Sequence, residues 1–424
     1  MVRGGTRPCR EPRRRFRRYG APAMRILILT QHYVPEITAA RFRLQAFADG
    51  LTRRGHEVQV ICPVPNHPRG VIDEGYRHGL VVRREVAGAE VNYVRVFTSP
   101  EKTFWKRIAY YGSYAGFASL AGPLLKHPDV VLASSPPLSV AAAGTLVAAL
   151  RRAPLLLDVR DLWPQSALDV GELAPGAFFS AAEAVERFAY RRADLIVTAN
   201  DAFRGWIRDR APDGASVHVV ENGTTQELLR IGESRVERGS VGLPEGPFVW
   251  AYAGNIGLAH GLEFAADAAA LLGEGYLLLV VGEGPRRLVL EQRAARQPAH
   301  RIQLQGLMSP TDAARRLRAA DAVLVSERQD RTVSAKLYDV CAIGRPIVAA
   351  CHGQLRRIIE REQIGVSVSH GNPEALADAV RRVRSDPELR ERLSQRARDF
   401  ARSHLRERQA DRLTDLAESL ADAR

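Results

Sequence analysis

The stretch Ser326–Ala350 reads SERQDRTVSAKLYDVCAIGRPIVAA and follows directly on the apolar run AVLV. A short apolar run bounded by polar residues predicts a buried strand whose carboxyl end opens on a site. Ser334 stands where an N-cap would, Leu337, Val340 and Cys341 fall on one helical stripe, and Gly344 closes the helix before PIVAA begins another strand. Strand, polar loop, helix and strand make one unit of an α/β domain, and chemistry is expected in the loop just after Ser326.

Lys336 lies in the first turn of that helix. Unpaired backbone N–H groups and the positive dipole end favour an anion there, so a phosphate can be held by helix and ammonium together. Asp339 follows one turn later on the same face. The pair could divide a sugar nucleotide, the cation taking the diphosphate and the carboxylate accepting from ribose hydroxyls. The competing reading is an ordinary exposed i, i+3 ion pair.

Working outward, the same alternation recurs twice. RILILT (Arg25–Thr30), a helix carrying Leu44, Phe47 and Leu51, and GHEVQVI open a first βαβ set, and DVVLASSPP and PLLLDVRDLWPQS add strands whose carboxyl ends turn polar abruptly. A second set begins at Phe248. FVWAYAGNIGLAHGLE places Gly254, Asn255 and Gly257 between strand and helix, YLLLVVGEGPRR places Glu283 in a Gly-x-Gly turn, and IQLQGLMSP repeats the pattern. Such loops bring backbone N–H groups close to phosphate. No G-x-G-x-x-G follows the first strand, which disfavours a dinucleotide dehydrogenase.

At 424 residues, 46% hydrophobic and 26% charged, the chain is long enough for two cores. No apolar run reaches 18 residues and the charged N-terminus lacks a secretory core, so a cytoplasmic protein is expected. Cys9, Cys62, Cys341 and Cys351 are too scattered for a disulfide framework, and no His/Cys/carboxylate set has metal spacing. The net charge is +13, and residues 1–23 carry eight Arg against one Glu. That segment reads as a disordered extension or a start placed before Met24, against the alternative of an arm for nucleic acid or anionic lipid. Between Phe97 and Leu125, Phe104, Trp105, Lys106, Arg107, Tyr110 and Tyr111 mix rings with positive charge. This is the composition of a helix docking on the inner membrane leaflet, or of a core helix with one wet face.

KLYDVCAIGRPIVA resembles the donor-binding segment of the retaining GT-B glycosyltransferases of the group-1 (family 4) type, with Asp339 at the second acid of their motif. The K-L-Y-D, D-L-W-P, G-N-I-G and P-N-x-P-x-G segments are similar to a WbuB-like branch active in O-antigen and capsule synthesis. The resemblance runs from about Met24 to Ala410.

It implies two Rossmann-like doubly wound α/β domains facing across a cleft: residues 24–213 for the acceptor, 214–395 for the nucleotide sugar, and helices over 396–424, the last packing back on the first domain. It implies donor contacts from Lys336, Asp339, Ser334, Gly254, Asn255, Gly257, Glu283, Gly306, Met308 and Glu327, and acceptor contacts from Pro35, Glu36 and Asn66. Asp161 would meet the acceptor hydroxyl with electrostatic support from Arg160, or the two would merely close a loop as an ion pair. The first acid of the motif falls on Arg331, so Glu327 or Asp330 must serve or none does. The activity implied is retaining transfer from a UDP-N-acetylhexosamine-type donor to a saccharide or polyprenyl-linked acceptor, without a metal cofactor and without nucleic acid. The alternatives are a UDP-sugar 2-epimerase and an inactive binding subunit.

Overall fold

The computed structural model describes residues 23–67, 69–101 and 103–423. The Arg-rich extension therefore lies outside the described residues as far as residue 22. Two parallel-sheet lobes make up the described chain. The first sheet contains β1 (Arg25–Leu29), β2 (Glu57–Pro63), β3 (Val81–Val86), β4 (Ala89–Val94), β5 (Val130–Ser135), β6 (Leu155–Val159), β7 (Leu195–Thr198) and β8 (Val217–Val219), in the order β3-β4-β2-β1-β5-β6-β7-β8. The second contains β9 (Phe248–Ala253), β10 (Tyr276–Val281), β11 (Ile302–Gln305), β12 (Ala322–Glu327), β13 (Ile347–Cys351) and β14 (Gly365–Val368), in the order β11-β10-β9-β12-β13-β14.

The central strands are buried throughout, as VVLASS of β5 and IVAAC of β13 illustrate, because helices cover both faces. The helix Ala39–Arg53 buries Leu44, Phe47 and Leu51, the predicted stripe. One element is absent from the sequence reading: β3 and β4 form an antiparallel hairpin over Ala87 and Gly88, both at positive φ. That is the backbone a two-residue primed turn requires.

β8 pairs with β7, so the first lobe extends past the expected boundary at 213/214. The chain crosses at 220–225 and returns at 403–406, and the crossings bond to each other: Thr224 N to His404 O at 2.9 Å and Arg406 N to Thr224 O at 2.9 Å. A Cβ at Gly223 would lie 2.6 Å from His404 O, so only glycine lets the two chains touch. The helix Pro387–Ser403 runs through the expected start of the terminal segment at 396 and stays on the second lobe, with its Phe400 ring stacked on Tyr338. Only Arg406–Asp422 returns to the first lobe. It buries Ala410, Leu413 and Ala417 and pairs Asp411 with Arg53 and Asp415 with Arg54. The exposed pairs contribute little; the buried apolar residues anchor the helix.

Arg43, on the cleft side of the first lobe, ties that lobe to the crossing. Its guanidinium donates to Asp158 at 2.9 Å, to Val220 O at 2.8 Å and to Glu221 O at 3.0 Å. Asp158 is fully buried. Arg43→Ala removes the counter-charge of that carboxylate, leaving it the Ser134 hydroxyl bond at 2.7 Å, and is expected to destabilise the protein by about 3–5 kcal/mol, read as a fall in Tm.

The helix Phe104–Ala121 has one buried and one exposed face, the arrangement of a core helix with a wet side. Tyr114, Ala118 and Ala121 are buried, while Trp105 is 74% and Leu120 71% exposed. Among the described residues, no helix is long and apolar enough to cross a membrane.

Candidate active site

The two lobes enclose a cleft of about 650 Å³ at the carboxyl ends of their strands. Gly254, Asn255, His260, Ser334, Lys336 and Asp339 line it from the second lobe; Thr38, Ala39, Arg43 and His67 line it from the first.

Lys336 is the first residue of the helix Lys336–Ile343, which ends at Gly344 in the left-handed conformation as the sequence predicts. Its ammonium donates to the Tyr252 hydroxyl at 2.6 Å and stands 4.0 Å from the centre of that ring. A Cβ at residue 254 would lie 2.4 Å from Nζ, so Gly254 keeps the space the ammonium occupies. Desolvation pushes Lys336 down to about 7, against the pull of the Glu327 carboxylate. Glu327 closes β12 with 2% exposure. Burial pushes it up to about 8, opposed by the Gln329 N–H and by Lys336, and the charge of Asp161 from the opposite lobe adds to the rise. His260 is pushed down to about 3 by burial and then by Lys336, so it is neutral; its Nδ1 faces Ser326 O at 3.0 Å, which places the proton on that nitrogen.

Several expectations change. The cap of the helix is Ala335, and the Ser334 hydroxyl accepts only a long bond, 3.4 Å, from Lys336 N. Asp339 does not pair with Lys336: Arg406 holds its two oxygens at 2.8 and 3.0 Å, which locks this helix to the returning chain. Glu283, Gly306, Met308 and Gly257 sit in neighbouring loops and are not among the cleft-lining residues. Glu283 instead pairs with Arg287 at 3.1 Å, Met308 packs on the core of the second lobe, and Gly257 abuts the Asn255 amide.

Pro35, Glu36 and Asn66 also stand outside the lining. The Glu36 carboxylate accepts from Asn66 N at 3.0 Å, His67 N at 2.9 Å and the His32 ring at 2.6 Å. The Asn66 amide donates to Val64 O and the Tyr110 hydroxyl.

The Arg160–Asp161 loop ion pair is not formed. Arg160 donates to Ser134 Oγ at 2.8 Å and Pro136 O at 2.5 Å, and Asp161 accepts from Ser166 Oγ and Leu162 N, both at 2.9 Å. Asp161 belongs to the interlobe contact, where Gln329 Nε2 donates to Ser166 O at 3.0 Å. Arg331, at the place of the motif's first acid, reaches across to the first lobe, to Asp169 at 3.5 Å and over the Trp206 ring at 4.5 Å. Glu327 is a buried acid whose charge interacts with Lys336, and it, Asp161 and Arg160 are likewise not among the cleft-lining residues. Tyr252, Arg43 and Arg406 were not singled out from sequence; an Arg interrupting the apolar stripe of the Ala39–Arg53 helix was the one available signal.

Two facing parallel-sheet lobes with a terminal helix crossing back are the architecture of the GT-B fold. The model for the Glycosyl transferase 4-like domain matches residues 38–223, and that for Glycosyl transferases group 1 matches residues 233–400. WcaI of Escherichia coli K12, named as a glycosyl transferase of colanic acid biosynthesis, is 26% identical over 377 residues, spanning 85% of this chain and 92% of that protein. Among solved structures, sucrose-phosphate synthase of Thermosynechococcus elongatus superposes with a TM-score of 0.72 at 17% identity, covering 95% of this chain and all of that one. Anabaena Alr3699/HepE in complex with UDP gives 0.69 at 16% identity, covering 94% and 100%. At such identities the structures speak for the fold alone. The chain belongs to the group 1 glycosyltransferases.

Proposed function

We propose that this glycosyltransferase moves a sugar, with retention of anomeric configuration, from a UDP-N-acetylhexosamine-type donor to a saccharide or polyprenyl-linked saccharide in cell-surface polysaccharide synthesis. The observation that carries the reading is the Lys336 ammonium, packed on Tyr252 at a helix start and lining the interlobe cleft. Lys336 and the backbone around Gly254 and Asn255 would take the diphosphate, and Asp339, oriented by Arg406, would accept from ribose hydroxyls. Glu327 would meet the donor sugar and Asp161 the acceptor hydroxyl across the lobe boundary. The charge that develops on the leaving diphosphate would be met by Lys336, so no metal is needed in this reading. The colanic acid role in the name of WcaI supports the setting.

The test is a screen of nucleotide sugars for thermal stabilisation, since a ligand bound only by the native state raises Tm. The anomer formed by the stabilising donor is then read by NMR. No stabilisation by any UDP-sugar, or an inverted product, would contradict the reading.

The pH dependence has a definite sign. Lys336 must be protonated to hold a diphosphate, and its pKa of about 7 in the free protein rises once the anion is bound. Binding therefore takes up a proton, and affinity is lost as pH rises through 7. The Kd of UDP-N-acetylglucosamine, whose diphosphate does not titrate in this window, is expected to weaken about ten-fold or more between pH 6.5 and 8.5 by calorimetry.

The exposed Phe104 and Trp105, with Lys106 and Arg107 beside them, would rest on the cytoplasmic leaflet as a peripheral contact. Replacing both rings by alanine is expected to reduce co-sedimentation with phosphatidylglycerol vesicles at least about five-fold. Unchanged co-sedimentation would mean that the rings have no such contact.

A further inference from the structure

The buried carboxylate of Glu36 is not among the groups lining the cleft, yet it is bonded on three sides. It gathers the His32 ring from the turn after β1 and the backbone N–H groups of Asn66 and His67 from the loop after β2. Burial works against its ionisation, but the bonds from His32 and the two amides outweigh this and hold its pKa below the usual carboxylate value. Asn66 fastens the same loop from the other side, through Val64 O at 2.8 Å and the Tyr110 hydroxyl at 3.2 Å. The residue this scaffold presents is His67. Its ring meets the His32 ring edge-on at 5.3 Å, and it lines from the first lobe the same cleft that Lys336 lines from the second.

A loop fixed by a buried charge and a buried amide is costly to build for one exposed side chain, unless that side chain must be held in place. We propose that His67 is an acceptor-binding residue that hydrogen-bonds a hydroxyl of the acceptor saccharide, with Glu36, His32 and Asn66 as the positioning residues that aim it. This rests on the transferase reading above. Glu36 and Asn66 then serve the acceptor through His67 and not by contact. An imidazole can donate or accept at one point, so it selects for a hydroxyl at one place on the sugar; an apolar side chain would not.

The experiment uses the full chain, UDP-N-acetylglucosamine as donor, and a synthetic farnesyl-diphosphate-linked N-acetylglucosamine together with free N-acetylglucosamine and galactose as acceptor probes. His67→Ala is expected to raise the KM for the acceptor at least about ten-fold while the KM for the donor stays within about two-fold. His67→Gln, which keeps a hydrogen-bonding tip, should recover part of the loss. Glu36→Gln should raise the acceptor KM in the same direction, alongside a lower Tm. An acceptor KM unchanged in His67→Ala would overturn the proposal, as would equal rises in donor and acceptor KM. A wild-type chain that releases no UDP with any acceptor probe would instead sink the transferase reading, and this contact with it.

Discussion

Lys336→Ala is expected to weaken UDP-sugar binding by about 100-fold or more and to reduce turnover at least as much, without lowering Tm. The first part follows from charge: a diphosphate in a water-poor cleft loses a charge-assisted bond, and the loss of about 1.5–3 kcal/mol is compounded by the lost Coulomb term. The second part follows from burial. The ammonium is desolvated enough to bring its pKa to about 7, so the free fold gains little from it. Its main partner, the Tyr252 hydroxyl, keeps its own bond to Asn255 O at 2.7 Å. Truncation therefore removes a group held for the ligand, as is usual where function and stability compete. Lys336→Arg should not rescue binding. The ammonium fits against Gly254 and Tyr252 with no room to spare, and a planar guanidinium is a different shape. Calorimetry with UDP and a melting curve on the same preparations check binding, stability and the arginine variant, and UDP release in the transfer assay checks turnover.

Glu327→Ala is expected to lower kcat/KM by about 100-fold, and Glu327→Gln by about ten-fold, in the same transfer assay. Glu327 ends β12, is almost fully buried, and has a pKa pushed up to about 8, so near neutrality it is largely a protonated acid that can donate as well as accept. Glutamine keeps that shape and hydrogen bonding without a charge, which is why it should retain part of the activity. Alanine removes both and leaves a hole beside Lys336. Equal loss for alanine and glutamine would mean that the charge alone matters.

The parallel-sheet lobes are legible because their strands are short apolar runs ended by polar residues, and the place of Lys336 at a helix start because a polar loop follows such a run and Gly344 closes the helix after it. The partners of these residues were not readable. Asp339 stands one turn from Lys336 in the chain, yet it bonds Arg406, which is far away in sequence and is brought close only by the returning chain. The direction of Arg331 is likewise set by Trp206 and Asp169 on the opposite lobe. Local spacing fixes which face a side chain occupies, but the choice between two oppositely charged partners is made by lobe packing. Glu36 shows the same limit: its motif marks a site, while its buried position makes it a support for the loop that lines the cleft. The β3–β4 hairpin was missed because β3 is mostly exposed and polar, so its alternation is faint, although Ala87-Gly88 between two β-rich runs was a turn signal.

A crystal structure of the protein with UDP tests the account most directly. It should show a phosphate oxygen within hydrogen-bonding distance of Lys336 Nζ and of the backbone at Gly254 or Asn255, with Asp339 still held by Arg406. A diphosphate bound away from Lys336, with the ammonium still on the Tyr252 hydroxyl, would contradict it.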